Sequence, residues 1–288
     1  MPAFREPTAY AAPALQRGSM TPVPHRVMSV VHETRETVTL TLEPVADRVP
    51  SPVAGQFTML WAWGAGEVPI SVSALEDDGV LVHTIRDVAG VTKTLCASKP
   101  GDVLGVRGPY GRGWGVDAAR GRDLVLVAGG IGLAPLRPVV HTVLEDRAAF
   151  GRVLLVVGAR TEQELLFRGE LDGWWHARDI AVRTIVDRSS PGWAGSVGVV
   201  TNELASIDLD PASTYAMVCG PEVMMRVVAQ HLTDRGVPKE SIEVSIERNM
   251  QCAVKTCGHC QVGPFFACTD GPVLTWDVVD ALLTVREL

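Results

Sequence analysis

Four of the chain's six cysteines fall within seventeen positions near its end, as Cys252-Ala-Val-Lys-Thr-Cys257-Gly-His-Cys260 and then, after seven intervening residues, Cys268. The C-x4-C-x2-C spacing is that of a plant-type loop that ligates a [2Fe–2S] cluster. Thiolates on so short a loop, with Gly258 between two of them, can converge on iron while backbone N–H groups turn toward the sulfurs and offset their charge. Structural zinc also takes four thiolates and stays open as an alternative, although zinc folds more often carry two C-x2-C knuckles and this chain has one. A disulfide framework fits poorly, because 288 residues can build a core without one. His259 reads as a neighbour of the cluster or a solvent-facing residue, since the four cysteines complete the ligand set.

A second chemistry-bearing stretch is Ala128-Gly129-Gly130-Ile131-Gly132-Leu133-Ala134-Pro135, between an apolar run of strand length and a helical pattern. Glycines there let the backbone approach a pyrophosphate, and the helix that follows offers unpaired N–H groups and the positive end of its dipole. The order differs from G-x-G-x-x-G, so a tight turn without a ligand also fits. A matching start, Cys219-Gly220-Pro221-Glu222, follows a later strand. Two such turns on one sheet edge make a dinucleotide crevice. Cys219 alone reads equally as a buried strand residue, and Met224 and Met225 as a helix face turned to the core.

These sites need scaffolds of two kinds. From residue 25 to about residue 105 the pattern is short and alternating (Arg26–Val31, Thr37–Leu42, Gln56–Trp61, Val80–Ile85, Asp102–Val106), with Pro and Gly between the runs. That predicts an antiparallel barrel or sandwich, interrupted by a helix over Gly90–Cys96. From Asp123 the grammar changes to strands (Leu124–Ala128, Val153–Gly158, Ile180–Val186, Thr214–Cys219) alternating with helices such as Leu133–Arg147 and Pro221–Arg235. Alternation of that kind predicts a doubly wound parallel sheet. A strand at Ile242–Ile246, the cysteine loop and an amphipathic close at Trp276–Leu283 complete the chain. The expected divisions are a flexible tail at 1–24, a barrel at 25–117, an α/β domain at 118–240 and a C-terminal strand and cluster segment at 241–288.

Composition narrows the function classes. With 47% hydrophobic and 20% charged residues the chain is an ordinary globular protein long enough for two cores. A net charge of −7 without basic runs argues against a nucleic-acid partner. The longest apolar run, Leu124–Leu136, is thirteen residues broken by three glycines. A bilayer crossing needs ~20. No apolar core of a signal peptide occurs in the first 24 residues, so the cytoplasm is the expected location.

Taken in order, Pro69-Ile70-Ser71-Val72-Ser73, His83-Thr84-Ile85-Arg86, Gly90-Val91-Thr92, Arg107-Gly-Pro-Tyr110-Gly, the 128–135 turn, Cys219-Gly220-Pro221 and the four cysteines resemble the ferredoxin–NADP reductase superfamily. More narrowly the chain resembles its iron–sulfur flavoprotein branch, which holds the gamma subunit of soluble nickel–iron hydrogenase and sulfur reductase, a subunit of anaerobic sulfite reductase and the electron-transfer subunit of dihydroorotate dehydrogenase. The resemblance runs over residues 25 to 288. It implies FAD against Pro69, Ile70, Ser71 and Val72 and against His83, Thr84 and Ile85, with the FAD pyrophosphate at Gly90, Val91 and Thr92. It implies NAD or NADP at Gly129 to Pro135 and at Cys219, Gly220 and Pro221, Ser71 and Cys219 standing at the reacting centre. Cys252, Cys257, Cys260 and Cys268 would hold the cluster.

One departure bears on both FAD and partner. Relatives often carry an arginine three positions ahead of the flavin-site serine, as Arg-x-Tyr-Ser or Arg-Pro-Ile-Ser, where this chain has Val68-Pro-Ile-Ser71 with Glu67 before it. The FAD phosphates would then depend on the helix start and on Arg86 or Lys93. The acidic approach, with the fourth cysteine so close, points to the hydrogenase and sulfite reductase branches over the dihydroorotate enzyme. Near the adenosine ribose, Arg160 and Arg168 would suit a 2′-phosphate, while Glu162, Glu164 or Asp187 would suit a hydroxyl, which leaves NAD or NADP open.

The expected activity is electron transfer in the order nucleotide, FAD, cluster, partner. A nicotinamide delivers two electrons as hydride, a [2Fe–2S] cluster takes one at a time, and a flavin can stand between them. The expected partner is an iron–sulfur redox subunit, most naturally of a hydrogenase, in a hetero-oligomer. The rivals are a sulfite or sulfur reductase or dihydroorotate dehydrogenase subunit, a free-standing ferredoxin or flavin reductase, and, outside catalysis, a zinc-stabilised nucleotide sensor.

Overall fold

The computed structural model describes residues 20–177 and 179–283; most of the expected tail at 1–24 lies outside the described residues. Six antiparallel strands come first: β1 (Val23–Thr34), β2 (Thr37–Pro44), β3 (Phe57–Ala62), β4 (Gly66–Leu75), β5 (Leu81–Arg86) and β6 (Val103–Tyr110). They close into a barrel in the order β1-β2-β5-β4-β3-β6, so no strand edge is left open. Alternation puts Val27, Val38, Leu40, Leu42, Leu60, Leu81, Ile85, Leu104 and Val106 inside, and the short helix α1 (Val91–Cys96) adds Leu95 to that core. The alternation of the sequence reveals five of these strands. It misses β4, whose Gly66 and Pro69 and run of half-buried residues blur the period of two.

The second unit is a seven-stranded sheet. Its strands are β7 (Asp123–Gly129), β8 (Val153–Ala159), β9 (Ala181–Val186), β10 (Ser196–Val197), β11 (Thr214–Cys219), β12 (Ile242–Ser245) and, after a two-stranded hairpin of β13 (Gln261–Val262) and β14 (Phe265–Phe266), β15 (Val273–Thr275). The order is β10-β9-β8-β7-β11-β12-β15, with its central strands parallel. Near-continuous apolar runs such as Leu124–Ala128 are what strands covered on both faces require. Helices α2 (Leu133–Glu145) and α3 (Arg168–Ala177) cover one face. Helices α4 (Val200–Ala205) and α5 (Glu222–Asp234) cover the other.

The expectation of a purely parallel sheet is corrected at its edge, because β15 runs antiparallel to β12. Three residues ahead of Trp276 are too few to show a period, and β15 exists because β12 offers it an unpaired edge. The expected close at Trp276–Leu283 is the one-turn helix α6 (Trp276–Val279), followed by buried Leu282 and Leu283. Ala253, Cys260, Val262, Phe265, Ala267 and Cys268 pack into the same core as barrel residues Phe57, Met59 and Tyr110 and sheet residues Ala216 and Val218. The cysteine segment is thereby wedged where barrel and sheet meet. Among the described residues no helix is long and apolar enough to cross a membrane.

Candidate functional site

Two clefts open between barrel and sheet. The first, of about 370 Å³, brings Pro69, Ile70 and Ser71 of β4 and Thr84 and Ile85 of β5 against Ile131, Gly132, Ala134, Pro135 and Cys219. The barrel strands and sheet turns lie far apart in sequence; the closed barrel and the parallel sheet bring them together. The second, of about 680 Å³, runs along the carboxyl ends of β7, β8, β9 and β11 and is lined by Gly129, Gly130, Ile131, Arg160, Asp187, Gly220 and Pro221 among others. Arg86, Ile131 and Glu247 line both clefts, which therefore adjoin, and together the two make the channel between barrel and sheet edge.

The glycines at its centre differ in role. A Cβ on Gly132 would run into the Cys219 carbonyl oxygen, and would stand 2.5 Å from its carbon and 2.7 Å from the Gly220 nitrogen, so Gly132 lets the two sheet turns touch. Gly130 holds φ +55° with nothing within 4 Å of a Cβ, so its freedom serves the turn while its open side faces the second cleft. Neither α2 nor α5 has a side-chain cap, which leaves first-turn N–H groups for an anionic ligand.

Not every expected residue reaches the channel. Val72, His83 and Leu133 are buried and line neither cleft. The His83 ring is sealed inside the barrel, with Nδ1 3.0 Å from the Ser71 carbonyl oxygen and Nε2 3.2 Å from the Thr58 hydroxyl. Burial lowers its pKa to about 4, so it is a neutral support beneath Ser71. Gly90, Val91 and Thr92 open α1 outside both clefts, where the Thr92 hydroxyl accepts from the Val88 N–H and donates to the Ala89 carbonyl. Of the expected cations Arg86 lies in the channel, whereas Lys93 lines neither cleft. Arg160, Glu164 and Asp187 line the second cleft; Arg168 and Glu162 do not, and the Arg168 guanidinium donates to the Glu162 carbonyl.

Sequence reasoning missed the segment Ser245–Met250, every residue of which lines the first cleft. It leaves the carboxyl end of β12, where ligands of open α/β sheets bind, and that position is the signal that would have found it. Cys219 is only 5% exposed. Burial and the nearby Glu247 charge push its thiol up to about 12, so it is an un-ionised group at this wall and not a nucleophile.

Two residues beyond Met250 stands Cys252, the first cysteine of the loop. Two residues span at most roughly 7 Å, so the loop begins beside the first cleft. Cys252 Sγ accepts N–H bonds from Val254 (3.4 Å), Thr256 (3.3 Å) and Cys257 (3.4 Å), and Cys268 Sγ accepts one from Lys255 (3.3 Å). Ala253, Lys255 and Gly258 adopt positive φ, which turns these amides inward. Backbone hydrogen bonds at Cys252 and His259 pull the exposed Cys257 thiol down to about 7, while burial pushes the Cys268 thiol up. All four cysteines are free, and among the described residues no group of three or more His, Cys, Asp or Glu is gathered closely enough to hold a metal. The amides aimed at sulfur nonetheless fit thiolate ligation, since they supply the charge compensation that a bound cluster needs. The rim at Lys255–His259 is exposed.

The oxidoreductase NAD-binding domain family matches residues 126–230. The sulfhydrogenase 1 subunit gamma of Pyrococcus furiosus is 38% identical over 234 residues, 78% of this chain and 80% of that one. A probable dihydroorotate dehydrogenase B (NAD(+)) electron transfer subunit of Methanothermobacter thermautotrophicus is 38% identical over 236 residues, 81% of this chain and 80% of that one. The solved structure of an NADH-dependent reduced ferredoxin–NADP oxidoreductase superposes with a TM-score of 0.70 at 25% identity, over 91% of this chain and 94% of that one.

Proposed function

The chain belongs to the family of the sulfhydrogenase gamma subunits and dihydroorotate dehydrogenase electron-transfer subunits, and on that premise we propose that it carries electrons from NAD(P)H through FAD and a [2Fe–2S] cluster to a partner redox subunit. The observation that carries the reading is that the two clefts adjoin, sharing Arg86, Ile131 and Glu247 as wall. The nucleotide lies along the sheet edge at Gly129, Gly130, Gly220 and Pro221, and its nicotinamide enters the first cleft beside Cys219. The flavin lies against Pro69–Ser71 and Thr84–Ile85, with Ser71 and Cys219 on opposite walls of one cleft. FAD accepts hydride and releases electrons singly when bound; the protein's own part is to hold the two rings together and exclude water.

Cys252, Cys257, Cys260 and Cys268 are the proposed ligands of the cluster, whose place beside Met250 shortens the path from the first cleft. The exposed rim at Lys255–His259 is the exit toward a partner that carries iron–sulfur clusters of its own. A hydrogenase is the partner we favour, in a hetero-oligomer. A dihydroorotate dehydrogenase is the second reading, favoured by a relative of that name at the same 38% identity as the first sulfhydrogenase subunit. We further propose the division into a barrel at 25–117, a nucleotide-binding part at 118–240 and a C-terminal part at 241–288.

The test is the visible spectrum of the purified full chain with assays of flavin, iron, acid-labile sulfide and zinc. Flavin with two irons and two sulfides per chain is expected, as a plant-type cluster requires. A colourless protein containing zinc would overturn the reading in favour of a sensor.

A further inference from the structure

We infer that the ion pair Glu67–Arg107 anchors the cysteine loop to the flavin-side barrel wall and tunes the reduction potential of the cluster, an inference that rests on the proposed ligation by the four cysteines. The Arg107 side chain is 1% exposed, and that of Glu67 is 29% exposed. Its Nη2 and Nε donate to the two Glu67 carboxylate oxygens at 2.6 and 3.0 Å. The same guanidinium reaches across to the loop: Nη2 donates to the Gln251 carbonyl at 3.1 Å and Nη1 to the Cys252 carbonyl at 3.2 Å, with a further bond to the Tyr110 hydroxyl at 3.1 Å. Glu67 sits on β4 two residues before Pro69, the first of the cleft residues on that strand. One side chain therefore ties the strand proposed to carry the flavin to the first proposed cluster ligand.

The arrangement has a mechanical and an electrostatic consequence. Fixing the two peptides that flank Cys252 fixes the origin of the turn whose amides at 254, 256 and 257 converge on the Cys252 sulfur. A planar fork with several donors can hold a carboxylate and two carbonyls at once, which a lysine ammonium cannot do with the same geometry. Electrostatically, a buried cation beside thiolates favours the reduced, more negative cluster, and the carboxylate opposes it. The two charges act in opposite directions, so each half can be unmasked separately. Arg107 acts through the loop and is a positioning residue.

The experiment uses the full chain in three forms: wild type, Glu67→Gln and Arg107→Gln. Cluster potential is measured by titration monitored by electron paramagnetic resonance, flavin potential by absorbance, and loop order by hydrogen exchange of residues 253–257. Glu67→Gln is expected to raise the cluster potential, because it leaves the guanidinium uncompensated. Arg107→Gln is expected to lower it and to speed exchange across the loop. The flavin potential and nucleotide affinity should stay at wild-type values in both. Opposite signs separate tuning from loosening, since a loop that merely loosens would drive both variants the same way. Shifts of one sign, or none, in proteins that retain iron would overturn the inference. If Arg107→Gln does not fold, the sign of the Glu67→Gln shift decides, a fall or no change overturning it. Wild type without iron and sulfide would instead overturn the ligand assignment, and the inference with it.

Discussion

Environment sets Cys219 and Cys257 apart, pushing one thiol up and the other down. Cys219 is pushed up to about 12 by burial and by Glu247, so its thiol stays protonated across neutral pH. Cys219→Ala is expected to slow hydride transfer about ten- to a hundredfold through poorer ring placement, with no thiolate inflection between pH 6 and 9 in the parent protein; stopped-flow flavin reduction across that range measures both. Cys257 faces solvent at the loop rim. Cys257→Ser should labilise the cluster while FAD stays bound, and a spectrum that keeps normal iron–sulfur bands would remove Cys257 from the ligand set. The loop cysteines stand out in the sequence by type and spacing, whereas Cys219 reads there equally as a buried strand residue. The meeting of Glu67 and Arg107 is not legible there, because Arg107 lies 40 positions from Glu67 and 145 from Cys252, and no local pattern announces it. Glu67 stands out in the sequence only as an acidic approach to the flavin-site serine; its role as the counter-ion of a buried arginine comes with the fold.

At the level of elements, the turn after β7 and the clamp between barrel and sheet carry separate tests. Gly132→Ala drives a methyl into the Cys219 backbone and is expected to cost about 2 kcal/mol or more. Gly130→Ala meets open space and bears only the left-handed penalty of roughly 1–2 kcal/mol, yet it should weaken nucleotide-driven flavin reduction and leave dithionite reduction intact. Urea unfolding beside stopped-flow reduction separates the two positions. The clamp is Arg137 of α2, which donates to the Ser73 carbonyl of β4 at 3.0 Å and is paired with Glu170 of α3 at 2.6 Å. Burial pushes the Glu170 carboxyl up, but hydrogen bonds from His141 and Arg137 outweigh it and leave it at about 2, below its ordinary value of 4.5. A depressed carboxylate stabilises the fold above its unfolded pKa, so this contribution is complete above about pH 4.5 and is lost as pH falls toward 2. Glu170→Gln should flatten that part of the urea-midpoint profile. Both turns are legible from glycine placed between a strand and a helix. Strands β4 and β15 are not, one because Gly and Pro hide its period and the other because pairing with β12 creates it.

Across the whole molecule, barrel and sheet are complete as folds, and what the chain does depends on the seam between them. The channel, the Arg137 clamp and the wedged cysteine segment all lie there. If the partner reading holds, native purification should bring down an iron–sulfur subunit, and the complex should reduce NAD(P) with hydrogen; co-elution with a dihydroorotate dehydrogenase chain would move the assignment to the second reading. The central claim is that electrons entering at the sheet edge leave through the cysteines. Its most direct test is to reduce the isolated full chain anaerobically with NADH or NADPH, freeze it, and record absorbance and electron paramagnetic resonance on the same sample. Bleaching of the flavin band is expected together with the signal of a reduced [2Fe–2S] cluster, and loss of that signal alone in Cys257→Ser. A flavin that bleaches beside iron–sulfur bands that never change, or a protein that neither nucleotide reduces, would contradict it.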